Sequence, residues 1–177
     1  MTFKVYIYYY EWDEMGQNGM NRRFRGSYTL KIDDRGRIIV PSRYRTILES
    51  QYGREVYLTS ATEDHILFYP LHIWEIIEQK IGKIQLRTRK VEDFVRVTGY
   101  WGTESELDPK GRILIPPDLR EKIRLKDSVL IIGQIDHMAI WNNDEFAEKY
   151  ASKNFTDGEM DEISRLLNNE LPLSGDE

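Results

Sequence analysis

The chain contains no cysteine. Disulfides, cysteine-ligated zinc and thiol chemistry are therefore excluded, and the absence fits a reducing cytosol. Histidine is scarce as well. His65, His72 and His137 form no His-x-x-x-His or Glu-x-x-His cluster, the spacings that place metal ligands on one helix face. No Gly-x-Gly-x-x-Gly and no phosphate-binding loop occurs. No run approaches the ~18 apolar residues of a membrane-spanning helix. The first ten residues are aromatic, with one lysine and no small-residue cleavage site, so they make a poor signal peptide. The expectation is a chain without catalytic residues, metal ligands or a cofactor, and thus not an enzyme.

What the chain does have is a repeat. Ile32-Asp33-Asp34-Arg35-Gly36-Arg37-Ile38-Ile39-Val40-Pro41 returns as Leu107-Asp108-Pro109-Lys110-Gly111-Arg112-Ile113-Leu114-Ile115-Pro116, 75 positions later. Asp, Gly, Arg, Ile and Pro recur in the same places, and Arg45 and Arg120 extend the match. The likeness continues in His65-Ile66-Leu67-Phe68-Tyr69 against His137-Met138-Ala139-Ile140-Trp141, and Trp74 against Phe146. The chain of 177 residues thus reads as two copies of one unit. Each copy has roughly 60 ordered residues, near the lower limit for a self-sufficient core. Two such copies are expected to interleave their strands into one shared body.

Charge is distributed unevenly. The formal net charge is −5, yet residues 22–54 carry nine Lys/Arg against three Asp/Glu. Residues 108–126 carry six against three, whereas residues 136–177 carry three against eleven. Basic density therefore surrounds both copies of the motif, and a local basic field can steer a polyanion onto an acidic chain.

Along the chain, residues 5–10 have strand propensity and Gly16-Gln17-Asn18-Gly19 reads as linker. Residues 1–22 form an extension, either lineage-specific or from an over-extended gene start with Met20 as the alternative, or else an extra edge strand. The first copy, residues 23–99, predicts a strand at 27–32, a turn at 33–36 and a return strand at 37–40. A helix at 42–49, strands at 55–59 and 65–69, and an amphipathic helix from Pro70 follow. In that helix Ile73, Trp74, Ile77, Ile81 and Ile84 make one apolar face. A further helix at 88–97 places Val91, Phe94 and Val95 inward and stops at Gly99 and Gly102. The second copy, residues 100–150, repeats the plan, with a helix to Tyr150 capped by Asn143 or Asp144. Residues 151–177 are an acidic helix and a frayed tail. The turn chemistry is explicit: Asp accepts a backbone N–H two residues on, and glycine supplies a positive φ.

A hairpin ribbon with basic side chains suits a DNA major groove. The candidate DNA-contacting residues are Arg35, Arg37, Lys110 and Arg112, with Arg23 and Arg25 upstream. Asp33, Gly36, Asp108 and Gly111 are assigned to shaping the turns. Asp33 and Asp108 also stand where they can hold Arg37 and Arg112. The rival reading is an oligomeric scaffold or protein-interaction module in which the hairpins make subunit contacts.

The order Phe24-Arg25-Gly26, Leu30-Lys31-Ile32-Asp33-Asp34-Arg35-Gly36-Arg37 and Pro41, then Phe68-Tyr69-Pro70, Trp74-Glu75 and Arg96, resembles the first half of MraZ proteins. The second motif copy, Ile132-Gly133 and Ile140-Trp141 resemble the second half. The resemblance implies an α+β double swapped-hairpin fold of the AbrB type, a pseudo-two-fold barrel with peripheral helices. It implies a transcriptional regulator that binds short direct repeats in double-stranded DNA upstream of the division and cell-wall gene cluster. It further implies a homo-oligomeric ring, cytoplasmic and nucleoid-associated. In the family the Asp-x-x-x-Arg motifs carry DNA contact, and these fall on Asp33 with Arg37 and Asp108 with Arg112.

Overall fold

A computed structural model describes residues 23–170. The strand expected at 5–10, the linker at 16–19 and the tail at 171–177 lie outside the described residues. The first copy comprises β1 (Ser27–Lys31), β2 (Arg37–Ile39), α1 (Ser42–Gln51), β3 (Glu55–Thr59), β4 (His65–Pro70), α2 (Leu71–Lys83) and α3 (Arg89–Tyr100). The second comprises β5 (Thr103–Glu106), β6 (Arg112–Leu114), α4 (Pro117–Lys122), β7 (Ser128–Gln134), β8 (His137–Asn142) and α5 (Asn143–Tyr150), followed by α6 (Asp157–Glu170). Among the described residues, no helix is long and apolar enough to cross a membrane.

Local chemistry explains most boundaries. Pro41, Pro70 and Pro116 each stand immediately before a helix, with φ between −54° and −52°. The ring fixes that angle and removes an N–H the incoming strand would otherwise have to satisfy. α5 is capped by Asn142, whose side chain accepts from the backbone N–H groups of Asp144 and Glu145. That cap lies one residue before the pair expected from the sequence, because Asn142 is itself the last residue of β8.

Six strands form one antiparallel sheet in the order β1-β7-β8-β4-β3-β5, and β2 and β6 form a separate two-stranded ribbon. Exchanging the two copies reverses the order of the large sheet onto itself, so a pseudo-two-fold axis runs between β4 and β8. The copies are interleaved at every level. β1 of the first copy pairs with β7 of the second, and β5 of the second with β3 of the first.

This pairing corrects the hairpins expected from the sequence. Neither turn joins two strands that pair with each other. β2 pairs with β6, in the register Arg37↔Leu114, Ile38↔Ile113 and Ile39↔Arg112. A three-residue strand buries too little to hold a hairpin alone. Paired across the copies, Ile38 and Ile113 are both buried on the inner face of the ribbon. They pack in one core with Val40, Ile115, Leu58, Phe68, Ile131 and Ile140. Each such side chain contributes about 1.5–3 kcal/mol by burial.

The helical connection also differs from expectation. α3 runs through Gly99 to Tyr100, and Val95 is 38% exposed rather than inward. Ile84, at the end of the expected α2 face, is exposed as well. Ile73 and Trp74 are buried, in a second cluster with Tyr69, onto which Ile77 and Phe94 pack.

The paired histidines have structural surroundings. His65 stacks on Trp141 with ring centroids 4.4 Å apart, and His137 stacks on Tyr69 at 4.3 Å. Burial lowers the His65 pKa to about 4, outweighing the opposing pull of Asp64. Below pH ~6.5 the unfolded chain protonates this imidazole while the folded chain does not. Stability is therefore expected to fall as pH drops from about 6.5 toward 4, and His65→Phe should flatten that part of the profile in urea melts. An unchanged slope in the variant would contradict the assignment.

Candidate nucleic-acid interface

Both turns are built in the same way. The Asp33 carboxylate accepts the backbone N–H of Arg35 (3.0 Å) and of Arg37 (2.8 Å) on one oxygen. Its other oxygen takes the Arg37 Nε at 2.8 Å and Nη2 at 2.7 Å. Asp108 does the same with the N–H groups of Lys110 and Arg112, both at 2.9 Å. The Arg112 Nε and Nη2 both lie at 2.6 Å from its second oxygen. Two backbone bonds close each loop: Gly36 N–H to the Asp33 carbonyl and Asp33 N–H to the Arg37 carbonyl, with Gly111, Asp108 and Arg112 matching them. The residue that ends each loop needs a positive φ, and Gly36 (+79°) and Gly111 (+72°) supply it.

These contacts set the electrostatics. The side-chain bond from Arg37, then its backbone N–H, hold the Asp33 carboxyl down to about 2. Arg112 does the same for Asp108. Asp33 in turn raises the pKa of Arg37. Each carboxylate engages the Nε–Nη2 edge of its arginine, so the Nη1–Nη2 end of the fork points away from it. That end is the part of a guanidinium able to donate two parallel hydrogen bonds to an anion or a base edge.

The fold brings the two turns together at opposite ends of the β2–β6 ribbon. The Ile115 N–H donates to the Gly36 carbonyl (2.9 Å), and the Val40 N–H donates to the Gly111 carbonyl (3.0 Å). A helix of the opposite copy then covers each turn. Arg120 of α4 lies against Gly36, where an added Cβ would sit 2.7 Å from the guanidinium carbon. Arg45 of α1 lies against Gly111 in the same way and donates from Nη1 to the Lys110 carbonyl at 3.3 Å.

Of the residues singled out from the sequence, Arg35, Arg37, Lys110 and Arg112 therefore surround one ribbon, with Arg35 and Lys110 exposed. Arg23 and Arg25 do not join them at the first turn. They precede β1, at the end of that strand remote from Asp33. Two further pairs were not among the contacts expected from the sequence. Arg45 stood there as basic charge downstream of the first turn and, with Arg120, as an extension of the repeat, whose 75-residue spacing already tied them together. Ile39 and Leu114 share the outer face with Arg37 and Arg112, because alternate residues of a strand face the same way. Among the described residues, no group of three or more His, Asp or Glu is arranged to hold a metal ion.

Two outcomes check this geometry. Gly36→Ala and Gly111→Ala are each expected to cost at least about 1–2 kcal/mol, the penalty of a Cβ in the left-handed region, with a further loss as the new Cβ displaces Arg120 or Arg45, read as a lower urea midpoint. The Asp33 and Asp108 carboxyls should stay ionised down to about pH 2 in a carboxyl-carbon NMR titration. Their stabilisation is present above the unfolded pKa near 3.8 and is lost as pH falls toward 2.

The two-copy organisation has a counterpart among known sequences. The family profile described as MraZ protein matches residues 23–97 and 102–167, one segment for each copy of the unit. A protein named transcriptional regulator MraZ from Histophilus somni (strain 129Pt) is 40% identical over 124 residues, covering 70% of this chain and 82% of the relative. The protein of the same name from Actinobacillus pleuropneumoniae serotype 5b (strain L20) is 35% identical over 132 residues, covering 72% and 85%. That from Shewanella oneidensis is 33% identical over 127 residues, covering 71% and 84%. The chain belongs to the MraZ family.

Proposed function

We propose that this chain is a transcriptional regulator that binds double-stranded DNA in a sequence-specific way and catalyses no reaction. One observation carries the reading. Two Asp-held arginines, Arg37 and Arg112, lie at opposite ends of a two-stranded ribbon, with Arg35 and Lys110 on the adjoining turns. A major groove accepts a two-stranded ribbon, and arginine forks suit guanine edges and phosphate oxygens. The names of the relatives point to the same class. Arg35, Arg37, Lys110 and Arg112 make the principal DNA contacts, with Arg23 and Arg25 adding charge at the margin. Asp33, Gly36, Asp108 and Gly111 hold the turns. The targets are short direct repeats upstream of the division and cell-wall gene cluster, and the protein works in the cytoplasm on the nucleoid.

The two copies, residues 23–99 and 100–150, form a double swapped-hairpin body of the AbrB type. Support comes from the exchange of β1, β2, β5 and β6 between copies. The protein works as a homo-oligomer, closed into a ring. Support for self-association comes from apolar side chains left at the surface: Leu86 and Val97 in the helical arm formed by α2, α3 and the bend between them, and Met160, Ile163, Leu166 and Leu167 along α6. A ring presents several ribbons at once, so weak single contacts to repeated sites add up. The same exposed faces favour the scaffold reading, in which the ribbon contacts no DNA.

A salt titration separates the two. Arg37→Ala or Arg112→Ala should weaken binding to the repeats by about 1–3 kcal/mol while the mass in light scattering stays unchanged. The slope of log K against log salt should shrink by about 1 for each phosphate interaction removed. Wild-type affinity and slope in both variants would refute the assignment. A wild-type chain that shifts no DNA at low salt would favour the scaffold. For the assembly, Leu166→Asp with Leu167→Asp is expected to lower the particle mass, and an unchanged mass would remove α6 from the interface.

A further inference from the structure

The outer face of the β2–β6 ribbon is not simply basic. Cross-strand register sets Arg37 beside Leu114 and Ile39 beside Arg112. The arginines occupy one diagonal of this four-residue block and the aliphatic side chains occupy the other. Ile39 is 58% exposed and Leu114 48%, while their neighbours Ile38 and Ile113 are buried beneath. A single exposed aliphatic residue needs no explanation. Two of them, at equivalent positions of both copies and enclosed by Arg35, Arg37, Lys110 and Arg112, are a patterned surface.

From this pattern we infer that Ile39 and Leu114 read thymine, by packing against the C5-methyl groups in the major groove. The inference rests on the DNA-binding reading above and names the base chemistry that the centre of the ribbon recognises. Charge selects the occupant. Arg37 and Arg112 are paired with their aspartates, but Arg35, Lys110, Arg45 and Arg120 outweigh the exposed Asp34, so a second ribbon of this chain would set net positive charge against net positive charge, whereas DNA places its phosphates around a groove floor. On that floor the thymine methyl is the apolar group a side chain meets.

Geometry adds a spacing. Diagonal neighbours on a strand pair lie roughly 7–8 Å apart, about two base-pair steps at ~3.4 Å each. The ribbon's pseudo-two-fold symmetry puts the two aliphatic side chains in equivalent poses with opposite chain direction. The two thymines therefore lie about two steps apart, and each methyl is flanked by an arginine contact.

The test uses the full chain and a duplex that it selects from a random-sequence pool. That duplex is synthesised twice, with thymine and with deoxyuridine, which lacks only the C5-methyl. Binding is measured by fluorescence anisotropy at one fixed salt concentration. Wild-type chain is expected to bind the deoxyuridine duplex about four-fold more weakly for each methyl removed, compounding for two. The double variant Ile39→Ala, Leu114→Ala should bind the thymine duplex correspondingly more weakly and no longer distinguish the two. Its salt slope should match wild type, since no phosphate contact is removed. Both positions are exposed, and circular dichroism with light scattering verifies fold and mass. Equal affinity of wild type for both duplexes would overturn the inference while leaving DNA binding intact. So would a full thymine preference in the double variant. A double variant of altered mass, with no thymine preference in wild type, would make this face a contact between copies. A wild-type chain that retains no duplex from the pool would defeat the DNA-binding reading itself, and this inference with it.

Discussion

The exchange of β2 and β6 between the two copies is the constraint on which the rest depends. Three residues on each side make a ribbon too short to survive within one copy. Across the copies, the same residues bury Ile38 against Ile113 and continue into Val40 and Ile115. The bonds from Ile115 N–H to the Gly36 carbonyl and from Val40 N–H to the Gly111 carbonyl then lock each turn to the opposite strand. Each turn closes through its own residues, but the ribbon that sets the two turns on one surface needs both halves.

The Asp-Arg pairs show how a charged motif serves geometry before it serves charge. Asp33 and Arg37 neutralise each other, as do Asp108 and Arg112. Being partly exposed, such pairs add little to stability. What they contribute is direction: one edge of each guanidinium is occupied, and the other is presented in a fixed pose. The excess positive charge at the ribbon therefore rests on Arg35, Lys110, Arg45 and Arg120, offset in part by the exposed Asp34. Two of these arrive from helices of the opposite copy. On the proposed reading, pose and attraction are thus supplied by different residues.

The remaining surfaces divide the labour further. The ribbon carries cations around an aliphatic diagonal, while α6 and the helical arm carry apolar side chains well away from the turn motifs in sequence. On the proposed reading, the first face meets the nucleic acid and the second meets further copies of the chain. His65 and His137 take part in neither, since each is stacked on an aromatic ring of the neighbouring strand.

Much of this was legible in the sequence, for reasons that are local. The repeated Asp-x-x-Gly-Arg turn, the prolines ahead of α1, α2 and α4, and the alternation in β3 and β4 are decided by residues a few positions apart. The 75-residue period announced two copies, and the family followed from the same residues. Strand partners were not legible, because β2 meets β6 only after some 70 intervening residues have folded between them. The hairpin expected within each copy failed for that reason, and Val95 is exposed because α3 packs through Phe94 and Thr98, a face set by the body it meets. Nor could sequence reveal that Arg45 and Arg120 would lie on the turn of the opposite copy, or that Ile39 and Leu114 would share a face with the two arginines. Neighbouring residues dictate the turns, the element types and the pseudo-symmetry. The surface those turns make together comes only with folding, because it is assembled from both copies across one interleaved core.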